Sequence, residues 1–278
     1  MKAQSSAPAS GPAAANEPVV VREDIGNIAA LTLNRPQARN SLSEAMLAAL
    51  SQELESLAAD KRIRAVVLAA QGSAFSAGHD LKELTAHRAD ADGGRGYTRH
   101  IMERCSAVML AILRLPQPVI AAVEATATAA GCQLVATCDL AVASTSAKFC
   151  TPGVHIGLFC STPMVALSRN LARKHALEML LTGDMISAAD AYRVGLVNRV
   201  VEPGTARDEA LKLSRKIAAE SAAAVKFGKE AFYRQLEMGI ADAYDHATEV
   251  MVKNMMARDA EEGISAFVEK RQPTWEDR

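Results

Sequence analysis

The stretch PVIAAVEATATAAGCQLVATCDLAVAS, residues 118–144, decides the fold class of this chain. It opens on PVIAAVEA, an unbroken apolar run too short for a core helix and typical of a strand buried on both faces. A run of small residues, TATAAG, follows; AGCQLVATC then reads as a short helix, and DLAVAS returns to a strand. Strand, helix and strand in so short a span is the unit of a parallel sheet, and an α/β fold follows from it.

The same grammar extends on both sides. PVVVRE and IAALTLN read as two strands joined at Ile25-Gly26-Asn27, a hairpin signalled by glycine between β-rich runs. SLSEAMLAALSQELESLAAD places Met46, Leu47, Leu50, Leu54 and Leu57 on one helical face, with Ser41 and Glu44 spaced as a capping box. IRAVVLAAQG is a buried strand, SAFSAGHDLKEL a loop entering a short helix, and YTRHIMERCSAVMLAILRL a long helix stopped by Pro116 and Pro118. AKFCTP is extended. Beyond about residue 163 the strand signal fades except in GLVNRVVE, and helical patterns dominate to the end. The expected organisation is a tail over 1–17, an α/β core over 18–204 and a helical region over 205–278.

Composition limits the functions open to such a chain. At 278 residues and 49% apolar it can bury a full core. A net charge of −1 points away from nucleic acid and anionic membranes as partners. The apolar runs fall well short of the roughly 20 residues that span a bilayer. The five cysteines sit in apolar segments without CxxC pairs or zinc spacing, so no metal is expected and a reducing, cytoplasmic location is. The tail has one lysine, no arginine and no apolar h-region, and reads as disordered without a leader signature.

Chemistry concentrates at two joins where small residues lead into a helix start, FSAGHDLKEL at 75–84 and ATAAGCQL at 127–134. A helix N-terminus presents unpaired N–H groups and a positive dipole end, so each join is an anion binder. Small residues at such joins also serve close packing alone. Two joins facing each other would form an oxyanion hole, suited to charge developing on a carbonyl oxygen as a thioester becomes an enolate.

The ordered set LNRPQARNSLS, SAFSAGHDLKEL, AGCQLVATCDLAVAS, FCTPGVHIGL, LTGDMISAADAYRVGLVNRVV and GISAFVEKRQPTW resembles the enoyl-CoA hydratase/isomerase family, the crotonase superfamily, from about residue 18 to the end. The resemblance implies a crotonase-type spiral of ββα units with a C-terminal helical trimerisation region, in trimers often paired as hexamers. It implies an acyl-CoA thioester as ligand, with coenzyme A as the carrier part of the substrate and no other cofactor. The family's oxyanion N–H groups fall on His79 and Ala130. Ala129 and Ala130 stand where the family has glycines, but any residue except proline keeps the N–H. The two glutamates with which family hydratases handle water fall on Gln133 and Gly153. Glutamine has no titratable proton and glycine no side chain. Ordinary hydratase activity is therefore expected to be weak, and Gln133→Glu with Gly153→Glu to raise it more than either change alone, provided that the new side chain at 153 does not overpack the pocket.

Replacement bases within reach of the motifs are His79, His100, His155, Cys160 and Ser161, His79 having the strongest claim by its motif position. Coenzyme A contacts fall on Arg39, Lys82, Phe267 and Lys270. Three classes of function remain open at this point: an acyl-CoA lyase or isomerase with an unconventional base, a non-catalytic acyl-CoA-binding or regulatory protein, and a structural subunit of a mixed oligomer.

Overall fold

A computed structural model describes residues 17–278; most of the expected tail lies outside the described residues. Strands β1 (Val20–Ile25) and β2 (Ile28–Leu33) form the antiparallel hairpin, with Ile25 opposite Ile28 and Gly26 in the left-handed region at φ +64°. Glycine enters that conformation without a Cβ penalty. Helix α1 (Glu44–Ala59) buries the five residues expected, Met46, Leu47, Leu50, Leu54 and Leu57. Its cap differs from the expectation: Ser43 is the N-cap and its Oγ accepts from the Met46 N–H at 3.2 Å, while Ser41 Oγ donates to Asp80. Ser41 is drawn away by a carboxylate distant in sequence that no local pattern reveals.

Three ββα turns follow. In the first, β3 (Ala65–Ala70) and β4 (Ala74–Ser76) precede α2 (Leu81–Ala86) and α3 (Arg95–Arg114). In the second, β5 (Val119–Val123) and β6 (Thr126–Thr128) precede α4 (Ala130–Thr137). In the third, β7 (Leu140–Ser144) and β8 (Lys148–Cys150) precede a 3₁₀ turn at Pro152–Ile156, then α5 (Ser161–Asn170) and α6 (Arg173–Thr182). Each turn gives its first strand to one sheet and its second to another, so the chain advances as a spiral. With β9 (Ile186–Ser187), α7 (Ala188–Arg193) and β10 (Arg199–Val201), the sheets run β1-β2-β3-β5-β7-β10 and β4-β6-β8-β9. Apart from the β1–β2 hairpin and the β8–β9 pair, the pairings are parallel.

The larger sheet is covered on both faces. Leu31, Leu33, Val66, Leu68 and Ala121 belong to the main core with α1 and α3. Ile28, Val67, Ile120 and Val142 meet α8 (Ala206–Ala218) through Ala206, Ala210 and Leu211. Small helix residues let α8 approach the strands closely, so this helix packs with the core. Helices α9 (Ala222–Gln235) and α10 (Ile240–Met255) fully bury none of their residues, and α11 (Arg258–Glu269) packs on both. No helix among the described residues is long and apolar enough to cross a membrane.

Candidate active site

Parallel pairing of β4 with β6, Ala74 with Thr126 and Ser76 with Ala127, brings the two joins side by side. Two glycines permit the contact. A Cβ on Gly131 would stand 2.3 Å from the Ser76 carbonyl oxygen, and one on Gly78 would stand 2.9 Å from Ala129 Cβ and 3.1 Å from the Ala130 nitrogen. Gly78 itself sits at φ +85°. The backbone just before His79 thus lies against the first N–H of α4, and as first residue of that helix Ala130 has no intrahelical acceptor for it.

The second join is held under strain. Ala129 has φ 50° and ψ −121°, a conformation in which a Cβ costs on the order of 1–3 kcal/mol. Its N–H donates to the Cys150 carbonyl at 2.9 Å, and its carbonyl accepts from the Gln133 N–H at 3.0 Å. These bonds pin the residue from β8 and from its own helix, and so fix where Ala130 points.

The first join is braced differently. Leu42 bridges to His79, its N–H donating to the Gly78 carbonyl at 2.7 Å, and the Gly78 N–H donates to Ser76 Oγ at 3.3 Å. Asp80 caps α2 through the N–H groups of Lys82 and Glu83, and accepts from Arg35 and the Ser41 hydroxyl, each at 3.1 Å. Burial pushes the Asp80 carboxyl up, but the Ser41, Glu83 and Lys82 bonds and the Arg35 charge hold it below its usual value. It is an anchored anion rather than a proton carrier.

Neither ring nitrogen of His79 meets a hydrogen-bond partner, and both are shielded from solvent. Burial pushes its pKa below the usual imidazole range, offset in part by the Leu42 backbone, so the ring is neutral near pH 7. Gln133 is 5% exposed and its Oε1 is also without a partner. It lines a cavity of about 1150 Å³ bounded by α3, α4, α5 and α9, with Met109, Leu113 and Val165 in its walls. A smaller hollow of about 400 Å³ at α5 and α6 contains no residue of either join.

Gly153 lies buried in the 3₁₀ turn, and a Cβ there would meet Cys160 Sγ at 2.9 Å and the Leu158 carbonyl oxygen at 3.0 Å. The space that a side chain at 153 would enter is therefore filled by the Cys160 thiol. Burial pushes that thiol up, against a smaller lowering from the Gly153 backbone. Burial likewise holds Cys150 up at about 11 and Cys105 at about 12, so these cysteines are neutral at physiological pH.

The remaining candidate bases are occupied locally. His155 Nε2 lies 2.8 Å from the Thr182 carbonyl, His100 Nε2 lies 3.1 Å from Glu44, and Ser161 Oγ donates to the Phe159 carbonyl at 3.3 Å. Arg39 is exposed beside the first join, its carbonyl accepting from the Ala77 N–H at 3.0 Å, and Lys82 is exposed on the first turn of α2. Phe267, 86% exposed, lies on α11 and Lys270 just beyond it, on the helical region.

One cluster escapes a reading of local motifs. Lys229 donates to Asp139 at 2.6 Å and to the carbonyls of Ile112 and Gln117 at 3.0 Å, while Tyr233 donates to Asp139 at 2.8 Å. Burial lowers Lys229 against the opposing effect of Asp139, and burial raises Tyr233. The cluster docks α9 over the cavity. Its one sequence signal is the four-residue spacing of Lys229 and Tyr233, which puts both on one face of that helix.

Known proteins share this fold. The Enoyl-CoA hydratase/isomerase family profile matches residues 23–278. The chain is 45% identical over 258 residues to the Xenopus laevis protein named enoyl-CoA hydratase domain-containing protein 3, mitochondrial, covering 93% of this chain and 86% of that one. The crystal structure of the human enoyl coenzyme A hydratase domain-containing protein 3 superposes with a TM-score of 0.88 at 45% identity, over 92% of this chain and all of the other (100%). That of an enoyl-CoA hydratase from Mycobacterium smegmatis gives 0.88 at 56% identity, over 93% and 99% of the two chains.

Proposed function

The chain belongs to the enoyl-CoA hydratase/isomerase family, and from that premise we propose that it binds an acyl-CoA thioester with the carbonyl oxygen between the N–H groups of His79 and Ala130, stabilising the derived enolate. The observation that supports this reading is the close approach of Gly78, the residue before His79, to the Ala130 nitrogen at the start of α4. Donors preorganised at a developing oxyanion are each worth about 10²–10³ in rate. Arg39 and Lys82, both exposed, are assigned to the phosphates of the nucleotide. Phe267 and Lys270 on the helical region are assigned to the same carrier.

Ordinary hydration is expected to be slow. Each missing acid or base is typically worth 10²–10⁴, and the two positions hold a neutral amide and a glycine packed against a neutral thiol. The same two facts favour a second reading, an acyl-CoA binder without turnover. Exchange of the α-protons of butyryl-CoA in D₂O, followed by mass spectrometry, separates them. Exchange above the buffer rate, reduced in a Gly78→Ala variant, supports an active enolate-stabilising site; tight binding with no exchange supports the binder.

Assembly belongs to the same proposal. Tyr244, Met251, Met256, Phe267 and Val268 are largely exposed on α10 and α11 and at their ends, an apolar surface suited to neighbouring copies in a trimer or a hexamer. Five unpaired thiols suit a reducing compartment, and the cytoplasm is proposed as the location.

A further inference from the structure

The first join turns on a residue that owes its place to having no side chain. Gly78 must lack a Cβ to approach Ala129 and the Ala130 nitrogen, and it sits at φ +85°. Glycine is also the residue whose backbone turns most freely, so its orientation has to come from its neighbours. Its carbonyl accepts from the Leu42 N–H at 2.7 Å, and its N–H donates to Ser76 Oγ at 3.3 Å. Because the peptide is planar and trans, the His79 N–H points opposite to the Gly78 carbonyl, away from Leu42. No backbone carbonyl among the described residues takes that N–H.

Ser76 can hold Gly78 because its own proton is spent elsewhere. It is fully buried at the end of β4, and its hydroxyl donates to the Asn40 carbonyl at 2.8 Å. The oxygen is then left to Gly78 as an acceptor. Asn40 in turn is firmly held: it is fully buried, its Oδ1 accepts from the Arg35 N–H, and its Nδ2 donates to the Gln71 and Ala74 carbonyls, all at 2.8 Å. Those bonds keep Asn40 at φ 50°, a left-handed conformation that asparagine tolerates better than most residues. A chain of one polarity results, from the Gly78 N–H through the Ser76 hydroxyl to the Asn40 carbonyl. The Ser76 carbonyl also lies against Gly131 of α4, so the same residue touches both joins. Resting on the thioester reading above, we infer that Ser76 is a positioning residue for the oxyanion site: its hydroxyl fixes Gly78 and, through that peptide, the direction of the His79 N–H. It acts through Gly78 and not on the substrate.

The test compares the full chain, wild type and Ser76→Ala, with free coenzyme A and with butyryl-CoA labelled with heavy carbon at the thioester carbonyl. Infrared difference spectra read the C=O stretch, which falls when donors polarise it, and calorimetry reads both affinities. In the wild type the stretch is expected to fall on binding. In Ser76→Ala most of that shift is expected to be lost and butyryl-CoA to bind roughly 3- to 10-fold more weakly, the range of one neutral hydrogen bond, with free coenzyme A unaffected. A full shift in Ser76→Ala, or an equal loss of affinity for free coenzyme A, overturns this inference and leaves the thioester site standing. No shift in the wild type overturns both. Should Ser76→Ala not fold, Ser76→Cys keeps the bulk with a sulfur that accepts only weakly. A full shift in that variant overturns the inference, and a lost shift with free coenzyme A affinity retained supports it.

Discussion

Adding one carbon at Gly153 tests what fills the place of the second acid. The Cβ of Gly153→Ala would arrive 2.9 Å from Cys160 Sγ, 3.0 Å from the Leu158 carbonyl oxygen and 3.3 Å from the Cys160 nitrogen. The sulfur is at the end of a short side chain with 9% exposure, so it has little room to retreat. Overpacking of this kind costs about 1–3 kcal/mol, offset by roughly 0.4–1 kcal/mol from the stiffer unfolded chain. Net destabilisation of about 1–2 kcal/mol is expected. Cys160→Ala alone loses a buried sulfur, at about 1 kcal/mol. Combined, the two changes remove the sulfur contact but keep the carbonyl contact, so the double variant should lose less than the sum by about 0.5–1.5 kcal/mol. Guanidinium denaturation at one fixed protein concentration measures the cycle. Additivity within about 0.3 kcal/mol, or a Gly153→Ala protein as stable as wild type, would refute the assignment of Cys160 to that space. Restoring activity follows the same logic, and here the structure makes the overpacking proviso specific. Gln133→Glu with Gly153→Glu should hydrate crotonyl-CoA no faster than Gln133→Glu alone, and adding Cys160→Ala should raise the rate.

Ala129→Gly relieves a Cβ at φ 50° and should stabilise the protein by about 1 kcal/mol after the entropic cost of glycine, read as a higher denaturant midpoint with acyl-CoA binding intact. Gly78→Ala pushes a methyl to within 3.1 Å of the Ala130 nitrogen and should weaken butyryl-CoA binding at least tenfold by calorimetry while the affinity for free coenzyme A changes little. His79 contributes to pH dependence with a definite sign. Its folded pKa lies below the ordinary 6.5 because of burial, so between the two values the unfolded chain binds the proton and the folded chain does not. Stability therefore falls as pH drops below about 6.5, and His79→Phe should flatten the denaturant midpoint between pH 5 and 7.5; an unchanged slope would place the dependence elsewhere.

Long periodic signals in the sequence were legible and short ones were not. The α1 stripe, the Gly26 hairpin and the stop at Pro116 needed only local patterns, and each is present. Of the second sheet only AKFCTP, which holds β8, read as extended; β4 and β6 are three residues each, and their small side chains carry no alternation. The cap of α1 was misplaced to Ser41 because Asp80, thirty-nine positions away, draws its hydroxyl. Both joins were readable as helix starts from their small residues. Their apposition was not, since it depends on β4 pairing with β6. The loss of two glutamates was visible as Gln133 and Gly153. What replaces them, an unpaired amide in a cavity and a thiol pressed on a glycine, is a property of packing that no spacing encodes.

In the proposed site the N–H groups of His79 and Ala130 jointly hold a thioester oxygen. A crystal structure of the protein with butyryl-CoA measures this directly. The thioester oxygen is expected at about 2.7–3.1 Å from both backbone nitrogens. A thioester oxygen bound away from these two nitrogens, or held by a side chain alone, would contradict it.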